Sequence, residues 1–278
     1  MPKTTGTRIG VAAAVVGAIA TGGAALLLFG WMIDETRFDR PDAAFDALAA
    51  EVSAVPGVTD VQKQRWVEAP LFVNPSSWMQ VTGDVSAFTA VRDAACASTY
   101  SEPVKWGFDL DVGGGTRVTA YTVEGRGCPE VGFDLESVAS EIGRVAPGNI
   151  IQAAVWDTGR FALSSLDGPG VAHLLPLVAR ADTLRDAAGV APSMPVEVGG
   201  SQLGVEIRPG EAAAYHALLT TLIDDHDVTF FSYGGGGTPI DGVETVQVTA
   251  PDAQHAAVER LIAASGLPVA ELPVSFLG

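Results

Sequence analysis

Asp224, Asp225, His226 and Asp227 follow one another in "IDDHD", at the end of a predicted helix. Carboxylates there face the negative end of the helix dipole, so the cluster is locally unfavourable and suits a cation. Hard oxygen ligands point to Ca²⁺. The spacing is not that of an EF-hand loop, and the competing reading is a solvated helix end. The other histidines are His173, His216 and His255, and they form no His-x-x-x-His pair. No Cys-x-x-Cys is present either, so no zinc site is expected.

Nucleophilic catalysis finds no Gly-x-Ser-x-Gly elbow in the chain. "GGGG" at 234–237 is followed by Thr, Pro and a predicted strand. It lacks the helix N-terminus that makes a phosphate loop. No cofactor is expected. The connection "WVEAPLFVNPSSW", from Trp66 to Trp78, is apolar where a hairpin loop is normally polar. Its Leu71, Phe72 and Val73 exceed what a turn needs. They either pack on neighbouring structure or form a patch for a protein partner.

Elements that would carry these residues alternate regularly. Helical periodicity begins near Pro41, Val85, Asp134, Val171, Glu211 and Asp252, which marks a repeat of about 40 residues. Asp84, Asp134 and Asp252 are natural N-caps. Between the helices lie paired short runs rich in Val, Thr and aromatic residues, such as "VKWGFDLDV" and "TRVTAYTV" across "GGG". The unit is α-β-β. Read in a shifted frame, two units give β-α-β-β-α-β, the ferredoxin-like motif with an antiparallel sheet. The expected class is α+β, with modules over 36–113 (first strand missing or displaced), 114–200 and 201–278. The glycine-rich links at 113–115 and 199–202 look like hairpins. They would pair the last strand of one module with the first of the next, so the modules are either openly linked or fused along their sheets.

Ile9 to Ile33 contains no charged residue. Twenty-five helical residues exceed the ~30 Å of a bilayer core. Lys3 and Arg8 precede the segment, and Asp34 and Glu35 follow it. The positive-inside rule then puts residues 1–8 in the cytoplasm and the bulk of the chain outside. Ala18-Ile19-Ala20 has the form of a signal-peptidase site, but a cut there would leave an apolar mature end, which favours an uncleaved signal anchor. Cys96 and Cys128 are the two cysteines of the chain. Outside the cytoplasm, an even count predicts a disulfide.

A formal net charge of −17 repels nucleic acid and anionic lipid headgroups. The sequence therefore reads as a membrane-anchored, extracytoplasmic interaction or scaffold protein of the cell envelope, with an envelope protein as partner and no enzymatic activity. An accessory protein binding a small ligand or cation is the alternative. A hydrolase of unrecognised type stands third.

Overall fold

A computed structural model describes residues 37–68, 74–122, 128–165, 168, 170–233 and 243–277. Among them run twelve strands: β1 (Arg37–Asp39), β2 (Val58–Glu68), β3 (Ser76–Asp84), β4 (Val104–Gly113), β5 (Thr116–Tyr121), β6 (Ile150–Trp156), β7 (Arg160–Ser165), β8 (Val196–Gly199), β9 (Leu203–Ile207), β10 (Phe230–Ser232), β11 (Val246–Thr249) and β12 (Val274–Phe276). Seven α-helices accompany them: α1 (Ala43–Ser53), α2 (Phe88–Ala97), α3 (Leu135–Val145), α4 (Leu175–Ala179), α5 (Ala181–Ala188), α6 (Ala212–His226) and α7 (His255–Ala263).

All twelve strands form one mixed sheet in strict chain order, β1 to β12. Hairpins pair strands antiparallel, as β4 with β5. From β3 onward each helical crossover brings the next strand in parallel and directly adjacent, as β3 to β4 through α2, whereas α1 joins β1 and β2 as an antiparallel pair. This corrects the ferredoxin-like expectation. In that motif the crossover skips a position, which another strand fills. Here no position is skipped, and the sheet runs uninterrupted across the 113–115 and 199–202 links. The sheet is mixed, not antiparallel. The strand expected to be missing before the first helix is present as β1.

Turn chemistry explains the regular joints. Gly57 and Gly148, each after a proline, take φ of +91° and +81°, where a side chain would be strained. The Gly148 N–H then donates to Thr116 Oγ1 at 2.7 Å, fixing the return into the sheet. Asp42 caps α1 by accepting from the N–H groups of Ala44 and Phe45, both at 2.9 Å. The bond from Phe45 is the main reason its carboxyl is held below its ordinary value. Asp134 caps α3 as expected. Asp84 and Asp252 instead lead into 3₁₀ turns and accept no capping bond.

The helices cover one face of the sheet. Met79, Trp106, Phe108, Ile151, Phe161 and Phe231 point from the strands into one continuous core with the apolar stripes of the helices. Phe88 of α2 meets Phe108 edge-on at 5.0 Å, an arrangement aromatic pairs prefer. Cys96 at the end of α2 is bonded to Cys128, which follows β5, so the disulfide expectation holds.

The membrane-anchored reading is corrected. Among the described residues no helix is long and apolar enough to cross a membrane. Residues 9–33, on which that reading rested, lie outside them. The single-pass placement at the plasma membrane is withdrawn with it.

Tyr215 on α6 is fully buried, and its hydroxyl has no hydrogen-bond partner among the described residues. Burial, then the neighbouring Tyr233, holds its phenol far above the ordinary tyrosine value. A raised folded pKa gives stability that is present below the unfolded pKa near 10 and lost as pH climbs towards the folded value. Tyr215→Phe is therefore expected to leave stability at pH 7 unchanged or raise it by about 1 kcal/mol, since it removes an unpaired buried hydroxyl. It should also make the decline above pH 10 shallower. Urea midpoints at pH 7 and pH 11 measure both effects, and a clear loss at pH 7 would contradict the unpaired assignment.

Candidate functional site: the open face of the sheet

Strand residues alternate between two faces, so those that do not enter the core share the uncovered face. Register links one such residue per strand into a continuous row. From β2 to β12 the row reads Asp60, Thr82, Asp109, Thr119, Gln152, Ser164, Gly199, Gly204, Ser232, Gln247 and Ser275. Every member is polar or glycine.

Several groups in this row are left unsatisfied. Thr119 is only 7% exposed, yet its Oγ1 has no partner among the described residues, and neither has Asp109 Oδ1. The second Asp109 oxygen holds Arg117. Ser232 is also 7% exposed. Its hydroxyl lies across Gly204, 3.0 Å from where a Cβ would stand. Ser164, Gly199, Gly204 and Ser232 floor a trough of about 320 Å³, walled by Phe230 and Glu197. Arg160 bridges Glu197 at 3.1 Å and Glu206 at 3.6 Å, so that cation is internally compensated.

Two exposed aromatic side chains stand on the same face in the middle of the sheet. Tyr121 is 50% exposed and Trp156 49%. Tyr121 and Gln80 close over Gly107, whose absent side chain makes room for them: a Cβ there would lie 2.0 Å from Gln80 Oε1 and 3.0 Å from Tyr121. The parallel register of β5 on β6 sets Trp156 diagonally beside Tyr121 on the next strand.

No protein-family model matches the chain, and neither a curated protein nor a solved structure is detectably similar to it. The site is therefore read from its own chemistry.

Of the residues singled out in the sequence, the acidic cluster does not converge. Asp227 ends α6 in a left-handed conformation at φ +52°. His226 Nδ1 is engaged by Gln254 Oε1 at 2.9 Å. Among the described residues no group of three or more His, Cys, Asp or Glu side chains is placed to hold a metal ion. Leu71, Phe72 and Val73 lie outside the described residues. Cys96 and Cys128 serve structure.

His173 Nε2 lies 3.3 Å from Ser165 Oγ. Ser165 is buried on the helix side, and His173 Nδ1 is held by the Gly170 carbonyl instead of a carboxylate. The imidazole therefore has no carboxylate behind it to stabilise a positive charge, as a nucleophilic triad would. A wider cleft of about 790 Å³ opens beside β1 and α1, near Lys63, Arg65 and Phe45. Burial works against the Arg65 charge, but Glu102 and Tyr100 outweigh it and raise its pKa. Arg65 binds Glu102 at 2.6 Å and the Arg40 carbonyl at 2.7 Å, and Ser77 and Glu102 satisfy Tyr100. This network ties β1 to the sheet edge.

Sequence reading missed the open face. Period-two alternation marks its residues, but only the strand register aligns them.

Proposed function

We propose that this is a non-enzymatic interaction and scaffold protein whose binding surface is the uncovered face of the sheet. The observation carrying this reading is the pairing of a one-sided helix layer with exposed Tyr121 and Trp156 on the opposite face. A solvated sheet face needs only polar residues. Half-exposed Trp and Tyr side chains are the types that anchor binding surfaces.

A photoreactive diazirine residue, which inserts into any class of molecule, tests the surface. Placed at Gln152 on the open face it is expected to trap a partner in the native setting. Placed at the exposed Glu259 of α7, in the helix layer, it should not. Equal adducts at both positions would sink the reading. The double variant Tyr121→Ser, Trp156→Ser should lose the adduct while its melting temperature moves by no more than about 2 °C, as exposed substitutions do.

A further inference from the structure

We infer that the polar row across the open face binds a linear, uncharged glycan laid perpendicular to the strands. The inference rests on the open-face reading and names its ligand class.

Shape comes first. Ten strand spacings of ~4.8 Å give the row a length of roughly 48 Å. Adjacent strands rotate by about 20–25°, so the row turns through roughly 200–250° from end to end. A rigid globular partner cannot follow that path. A linear polymer can.

Charge and hydrogen bonding then choose the polymer. Asp60, Asp109 and Glu197 lie in or against the row. The arginines nearest to it, Arg117 and Arg160, are taken up by Asp109 and by Glu197 with Glu206. Both of these arginines are neutralised by carboxylates, and the net charge of −17 opposes any polyanion. A polypeptide needs apolar pockets for its side chains or a strand edge for its backbone. The row has neither: its members are hydroxyls, carboxamides, carboxylates and two glycines. These complement sugar hydroxyls, each of which both donates and accepts.

The Thr119 hydroxyl, in the row, has no hydrogen-bond partner among the described residues. Gly199 and Gly204 lower the floor so that a ring can approach the backbone. Tyr121 and Phe230 flank the row with apolar faces on which a sugar ring can stack.

The test titrates the full-length protein with neutral hexasaccharides of β-1,4-glucose, β-1,3-glucose and β-1,4-N-acetylglucosamine. Their disaccharides and a sulfated hexasaccharide serve as controls, and calorimetry gives the affinities. At least one neutral hexasaccharide is expected to bind, at least 10-fold tighter than its disaccharide and tighter than the sulfated control. A Cβ at Gly199 would meet nothing closer than 3.7 Å, so Gly199→Leu fits the fold while filling the trough. It should weaken binding at least 10-fold with an unchanged melting temperature. Gln152→Ala, a second change in the same row, should weaken it several-fold.

No binding at millimolar concentrations, preference for the sulfated chain, no length dependence, or full affinity in both variants would each overturn the assignment. A protein adduct at position 152 without glycan binding would overturn the glycan and leave the open-face reading standing. No adduct of any kind at 152 would remove both.

Discussion

Replacing both Cys96 and Cys128 with serine lowers folding stability by about 4 kcal/mol, the chain-entropy value for a closed loop of this size. The bond spans a sequence separation of 32 residues and joins the end of α2 to the segment after β5. It therefore restrains the whole β4–β5 hairpin. Opening it returns that freedom to the unfolded chain while the native core keeps its contacts. Urea denaturation of the double variant against the oxidised parent measures the loss, and a difference under about 1 kcal/mol would show that the loop is already restrained by other means. Thiol counting on unfolded, unreduced protein should find none free.

Arg185→Met is expected to cost about 3–5 kcal/mol, as loss of one partner from a buried charged network does. Arg185 is 3% exposed on α5. Its Nε donates to the Met194 carbonyl at 2.6 Å, and Nη2 to the Ile207 carbonyl at 3.3 Å. Nη1 pairs with Asp182, whose carboxylate also accepts from Gly210 N–H. One guanidinium thus holds the segment entering β8, the end of β9 and the start of the next crossover. Methionine keeps the volume and leaves two carbonyls without a donor. Arg185→Lys should recover only part of the loss, because an ammonium group cannot span that fork. Arg144→Ala is the control: its pair with Glu141 is exposed, and little change is expected. Equal effects at both positions would falsify the network's special role.

Local structure was legible because short-range rules decide it. "LGVEI" is β9 to the residue, and the run proposed for β4 ends within one residue of the strand. The helix start near Asp134 falls where carboxylate capping puts it, and the one near Glu211, which makes no capping bond, falls where periodicity does. Strand order was not legible. A split crossover and an adjacent one need the same helix, the same apolar alternation and similar loops. The glycine links did carry the deciding information, since hairpins at 113–115 and 199–202 force neighbouring strands to pair. The open-face row stayed hidden for a related reason. Thr119, Gln152 and Ser164 read as ordinary outward residues until register sets them side by side. The acidic cluster at 224–227 does not form a metal site among the described residues, because consecutive residues on a helix end diverge and no other described element brings ligands to meet them.

Chain-order pairing also fixes how the protein responds to tension. Residues 37 and 276 sit on opposite edges of the sheet. A pull on them acts across the strands, loading the outermost ladder first and passing to the next only when it parts. The molecule should lengthen like a zipper, in steps of one α-β-β unit from either end. A unit of roughly 40 residues releases roughly 140 Å of chain. One step is shorter while Cys96 and Cys128 stay joined, because their bond withholds 32 residues, or roughly 110 Å. Thiol reduction would then set the reach of the stretched chain.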